Sequence, residues 1–228
     1  MDRYVRNLAL KGWDSNTQAS LKDASVAVVG CGALGSVVAI YLAAAGIGQL
    51  RIADFDKVAL HNLQRQVFFS EHEVGLSKAE RLAKRIRALN SETNVEIFSD
   101  SITNSNICHF LNNMTIVAEC SDNRATKEIV VSAGRKAAMP VVVGGVKEYN
   151  GQVIVFRTGG MEYSDIFPVS TQQEPTPSSL GVFSPVPGIV GSIQATEILK
   201  IITHLPGSDS DRLISFDSLS SSFSSFTI

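Results

Sequence analysis

The chain has 228 residues, 44% of them hydrophobic and 18% charged, with a formal net charge of −2. That balance excludes a disordered polymer and leaves no basic field for nucleic acid or an anionic membrane. Three cysteines, Cys31, Cys108 and Cys120, form no Cys-x-x-Cys pair, which argues against a disulfide framework or a four-cysteine metal site. The polar start Met1-Asp2-Arg3-Tyr4 lacks a signal-peptide core, and no uncharged apolar run reaches the ~18 residues that span a bilayer. A soluble cytoplasmic protein is expected.

Residues 1–23 carry scattered apolar positions and read as a helical arm. Ser25 to Val29 is an expected buried strand that enters a glycine turn, Gly30-Cys31-Gly32-Ala33-Leu34-Gly35, followed by helix Val37 to Ala45 with Gly46 as its C-cap. The spacing of Gly30, Gly32 and Gly35 fits a strand, a tight turn and a helix N-terminus whose free N–H groups suit phosphate. A second strand, Gln49 to Ala53, ends at Asp54-Phe55-Asp56, with Asp54 where such folds place a ribose-binding carboxylate. Lys57 to Gln66 reads as loop with at most one helical turn. Ser77 and Glu80 form a capping-box pattern opening a helix to about Leu89.

Strands are expected at Val95 to Phe98, Thr115 to Cys120 and Pro140 to Val143, with helices over Asn104 to Leu111 and Arg124 to Ala138. This alternation predicts an α/β fold with a Rossmann-like, doubly wound, mostly parallel sheet. Gly151 to Phe156 adds a strand, and 157–187 shows no periodicity, a length that marks a functional or mobile loop. In the helix Gly188 to His204, Ala195, Ile198, Leu199 and Ile202 form the apolar face, with Gln194, Glu197 and Lys200 expected outside it. Arg212 to Asp217 and Ser221 to Ile228 complete a C-terminal antiparallel extension. The chain is taken as one unit of 1–228: arm 1–23, nucleotide-binding core 24–145, and 146–228 with the long loop, the last helix and the closing strands.

Ligands of such sheets bind beyond the carboxyl ends of the strands. The glycine turn, Asp54 and Asp56, Asn62 to Gln66, and Ser121-Asp122-Asn123 all fall there. Lys78, in the first turn of its helix, opposes the helix dipole unless both face one anion, and the alternative is a solvated surface lysine. Asp122 and Asn123 offer a Mg²⁺ carboxylate and a ligand-binding amide, or simply an N-cap. Arg65 has the planar fork that phosphate prefers, although an isolated loop arginine is commonly only solvated. Cys31 and Cys120 read as small core residues, and the four histidines show no metal-ligand spacing.

Taken in order, Arg3-Tyr4-Val5-Arg6, Gly30 to Ser36, Asp54-Phe55-Asp56, Asn62-Leu63-Gln64-Arg65-Gln66, Val74 to Glu80, Ser121-Asp122-Asn123, Gly151-Gln152 and Gly191 to Ala195 resemble the ThiF/MoeB/HesA family, bacterial relatives of ubiquitin-activating enzymes. The resemblance implies that ATP adenylates the C-terminal glycine of a small ubiquitin-like sulfur-carrier protein ending in Gly-Gly. Carried over by position, Arg65 and Lys78 neutralise the phosphates and Asn62 orients the reacting centre. Asp122 holds Mg²⁺, and Asp54 binds the ribose against the turn Gly30, Gly32 and Gly35. Asp56, Gln66 and Asn123 complete the nucleotide site. Arg6 matches an arginine that reaches the neighbouring subunit's ATP, which implies a homodimer.

Two departures from the family pattern carry expectations. Family members often bind zinc through two Cys-x-x-Cys pairs, but Tyr163-Ser164-Asp165-Ile166 stands at the first place and the chain ends before the second, so zinc is expected to be absent. No cysteine lies in 157–187, so chemistry is expected to stop at the acyl-adenylate or to pass to a thiol on another protein. That loop is expected to be mobile and to lie over the carrier's tail. Without an appended sulfurtransferase segment, a thiazole (thiamine) carrier is slightly preferred over a molybdopterin one. Two other readings compete: a scaffold that binds its partner without chemistry, and an NAD-dependent oxidoreductase. The second leaves Asn62 to Gln66 and Lys78 unexplained.

Overall fold

The computed structural model describes residues 3–157, 160–168 and 181–228. Its strands are β1 (Ser25–Val29), β2 (Gln49–Ala53), β3 (Asn94–Phe98), β4 (Ile116–Glu119), β5 (Val141–Lys147), β6 (Asn150–Phe156), β7 (Arg212–Asp217) and β8 (Ser222–Thr227). They form one sheet in the order β3-β2-β1-β4-β5-β6-β7-β8. Pairing is parallel from β3 to β5 and antiparallel from β5 to β8. The helices are α1 (Val5–Leu8), α2 (Ser15–Asp23), α3 (Gly35–Ala45), α4 (Lys78–Leu89), α5 (Ile107–Leu111), α6 (Arg124–Lys136), α7 (Tyr163–Ile166) and α8 (Val186–Thr203).

The near-continuous apolar run of β1 suits a strand covered on both faces, and its alternation divides the core. Val26 and Val28 face a layer containing Leu42 of α3, Leu82 of α4 and Ile198 of α8. Ala27 and Val29 face another containing Phe110 of α5, Val130 of α6 and Tyr163 of α7. From β1 the chain proceeds outward to β2 and β3, then returns to β4 on the other side. That reversal leaves a crevice at the carboxyl ends of β1 and β4, where open α/β sheets bind ligands.

Several expectations need correction. Helix α8 begins at Val186, two residues early, because Pro187 in the first turn costs no helical hydrogen bond. Gln194 and Glu197, expected outside its apolar face, are buried. Gln194 reaches backbone carbonyls of the sheet, and Glu197 pairs with Lys200 and Arg212. A packed helix over a twisted sheet buries more than one stripe, so periodicity understates what lies inside. The stretch 157–187 is not uniformly irregular, since it contains α7 and the first residues of α8. The expected cover over a carrier tail falls largely on 158–159 and 169–180, outside the described residues. No helix among the described residues is long and apolar enough to cross a membrane.

Candidate nucleotide site

The site begins where β1 ends. Gly30 has φ +88°, a left-handed conformation that favours glycine. A Cβ on Gly35 would stand 1.8 Å from the Gly30 carbonyl oxygen, so the first turn of α3 closes onto the loop only because both are glycine. No side chain caps α3; Ser36 N–H bonds the Gly32 carbonyl, and the other N–H groups at this end suit an anion with the positive end of the helix dipole behind it.

Asp54 pins this turn from the side. Its carboxylate accepts hydrogen bonds from the N–H of Cys31 at 2.7 Å and of Asp56 at 2.8 Å. Burial pushes the carboxyl above its ordinary value, against the opposing influence of those two bonds and of the Lys78 charge. Each oxygen retains acceptor capacity for a ligand hydroxyl.

Lys78 is not a solvated surface lysine. It is buried, and its Nζ donates to Asp56 Oδ2 at 2.8 Å, leaving two donors on the ammonium. Helix α4 is capped as expected by Ser77, whose hydroxyl accepts from Glu80 N–H at 3.4 Å, but the reciprocal capping box forms one segment earlier, at Ser70 and Glu73.

Residues after β2 form a 3₁₀ turn, Leu60–Asn62. The Asn62 carbonyl accepts from both Arg65 and Gln66 N–H, so the chain stays coiled and brings Asn62, Arg65 and Gln66 to one region. Asn62 and Gln66 are buried. Gln66 lies against Gly32: a Cβ there would be 3.3 Å from Gln66 Nε2. Its Oε1 is buried with no partner among the described residues. Such an orphaned acceptor beside a glycine turn fits a site whose ligand supplies a donor. Arg65 lines a cavity of about 650 Å³ with Val37, Tyr41, Ser184, Ile189 and Thr196, and donates to His61 O at 3.3 Å.

The end of β4 forms the other wall. A Cβ on Gly30 would come within 3.0 Å of Cys120 O, which places Ser121-Asp122-Asn123 next to the glycine turn. Asn123 is the N-cap of α6, accepting from Thr126 N–H at 2.8 Å, while Asp122 is exposed. Among the described residues no cluster of three or more His, Cys, Asp or Glu side chains forms a metal cage. A single carboxylate suits Mg²⁺, which keeps waters and shares ligands with substrate phosphates. Burial pushes the Cys31 and Cys120 thiols up, so neither supplies a thiolate nucleophile near neutrality.

Arg6 stands apart. Its neighbour Tyr4 packs on Gly46, the C-cap of α3. The glycine turn is at the other end of that 11-residue helix, about 16 Å away at 1.5 Å per residue.

Sequence reading missed Glu119, Lys127 and Gln194, which are buried beneath the Asp122 turn. A Glu inside the apolar run Ile116 to Cys120, and a Lys one turn into α6, were the available signals. It also missed Arg124, which holds α7 through the Phe167 carbonyl and lies 5.8 Å from the Tyr163 ring centroid.

A model of the ThiF family matches residues 4–228. The chain is 35% identical over 236 residues to the sulfur carrier protein adenylyltransferase of Thermus thermophilus, covering 100% of this chain and 87% of that protein. It is 38% identical over 229 residues to the adenylyltransferase and sulfurtransferase MOCS3 of Xenopus laevis, covering 99% of this chain and 51% of that protein. The chain thus spans about half the length of the MOCS3 relatives it matches. Among solved structures, E. coli MccB with ATP superposes with a TM-score of 0.85 at 25% identity, covering 99% of this chain and 71% of that one.

Proposed function

The chain belongs to the ThiF family, and from that premise we propose that it adenylates the C-terminal glycine of a small ubiquitin-like sulfur carrier ending in Gly-Gly. The carboxylate of the carrier attacks the α-phosphorus of ATP, a P–O bond to pyrophosphate breaks, and an acyl-adenylate forms. No general base is required, because the carboxylate is already ionised at neutral pH. Catalysis then consists of alignment and of neutralising the phosphate charge.

The observation that carries this reading is the convergence of the Gly30–Gly35 turn, buried Lys78 with its exposed partner Asp56, and the orphaned Gln66 carbonyl at the carboxyl ends of β1 and β2. In this assignment Lys78 and Arg65 bind phosphate, Asn62 orients the reacting centre, and Asp54 and Gln66 bind the ribose or base. Asp122 holds Mg²⁺, which when bound offsets negative charge on the departing pyrophosphate. Zinc has no place in the proposal. The carrier belongs to thiazole or molybdopterin synthesis, and carriers of each class separate the two.

Arg6 completes the site from a second copy, which makes the protein a homodimer with two composite sites. The distance of Arg6 from its own glycine turn supports that arrangement. The test is ATP–pyrophosphate exchange with carriers ending in Gly-Gly. Asp122→Ala and Arg65→Ala are each expected to lower exchange by at least about 100-fold. Exchange unaltered in both would overturn the site. Carrier binding with no exchange by the wild-type protein would favour a scaffold.

A further inference from the structure

Beneath the Asp122 turn lies a charged pair that ATP chemistry does not use directly. Glu119 is fully buried and Lys127 is 7% exposed. Lys127 Nζ donates to Glu119 Oε2 at 2.5 Å, to Ser121 O at 2.7 Å and to Gly144 O at 2.8 Å, so all three ammonium donors are spent on protein acceptors. The other Glu119 oxygen accepts from Ser121 N–H at 3.0 Å. From the opposite layer, Gln194 Nε2 donates to Glu119 O and Val142 O, each at 3.1 Å. A Cβ on Gly144 would strike Gln194 Oε1 at 2.2 Å.

Both polar groups of the Ser121 backbone are therefore held by this pair, and the Ser121 carbonyl belongs to the peptide that leads into Asp122. On the far side, Asn123 is fixed as the cap of α6. Asp122 sits between two anchored residues although its own side chain is exposed. A buried ion pair is a poor source of stability, since its desolvation cost offsets the attraction and an apolar pair of similar volume often serves as well. Its value lies in what it orients.

We infer that Glu119 and Lys127, braced by Gln194, are positioning residues that set the Ser121–Asp122 peptide for nucleotide chemistry at the end of β4. This rests on the adenylation reading for the role of Asp122, but the geometry of the turn is tested without it. Removing one partner strands a buried charge and threatens folding, so the informative variant is Glu119→Gln with Lys127→Met. Its melting temperature is expected to stay within a few degrees of wild type. The amides of residues 121–123 are expected to exchange at least about tenfold faster in hydrogen–deuterium exchange. In carrier-dependent exchange, kcat is expected to fall about 100-fold with KM for ATP little changed, as when an interaction is lost in the transition state.

Glu119→Asp with Lys127→Arg preserves charge and combined reach, and is expected to restore both amide protection and kcat. The double variant Glu119→Gln with Lys127→Met, if it folds with unchanged protection at 121–123, overturns the inference, as does the same variant with wild-type kcat. If the wild-type protein shows no exchange with any carrier, the adenylation reading fails while the amide comparison still decides whether the pair holds the turn.

Discussion

At the residue scale, two glycines of one turn obey different constraints. A Cβ on Gly35 would meet the Gly30 carbonyl at 1.8 Å, whereas one on Gly32 would meet only the end of the Gln66 side chain at 3.3 Å. Backbone cannot step aside as a glutamine tip can. Gly35→Ala is therefore expected to cost about 3 kcal/mol or more, while Gly32→Ala costs under about 1 kcal/mol. Urea unfolding of the two variants checks this, and equal losses would refute it. Lys78 and Gln66 carry the same lesson: both are buried without the full complement of partners that burial normally brings. Their sequence positions gave no hint of burial.

At the element scale, α2 is the clearest case of local chemistry reporting on stability. Asp14 caps it, and hydrogen bonds from the Thr17 backbone and hydroxyl hold its carboxyl below the ordinary value of 3.8. A depressed carboxyl contributes stability that is present above the unfolded value and lost as pH falls through the lower folded one. Amide exchange within α2 is thus expected to accelerate below about pH 3.8 in the wild-type protein. Asn also caps well but carries no charge, so Asp14→Asn is expected to abolish this acid dependence while leaving neutral-pH protection in place. A retained acid dependence would assign it to another group. In the same layer, α8 shows why a helix cannot be read from its apolar stripe alone. A Cβ on Gly191 would stand 2.8 Å from Val37 Cβ, so α8 crosses α3 closely enough to bury its polar neighbours too.

At the scale of the whole molecule, the separation of Arg6 from the glycine turn bears on assembly. If the proposed sites are composite, Arg6→Ala and Arg65→Ala lie in different halves of each site. Each variant alone is expected to be inactive in both sites. A heterodimer of the two has one site doubly substituted and one intact, so co-expression and isolation of the mixed species should recover about half of wild-type exchange. No recovery in the heterodimer would place Arg6 in its own chain's site, whereas an active Arg6→Ala homodimer would place it outside catalysis.

Much of this protein is legible in its residues. The parallel strands, the glycine turn and the closing antiparallel pair follow from apolar periodicity and turn chemistry, which are local properties. The residues proposed for the nucleotide site, from Gly30 to Asn123, could be nominated because such sheets gather their ligands at one end and because the family words are specific. Burial of Lys78 and Gln66, the Glu119–Lys127–Gln194 brace and the remoteness of Arg6 were not legible, since each depends on contacts between segments far apart in the chain. Gln194 meets Glu119 across 75 positions, and no periodicity encodes that meeting. The sequence by itself determined which groups stand at the carboxyl ends of the strands. Only the tertiary structure decided which of them are held, and by what, because packing sets desolvation and desolvation sets the need for a partner.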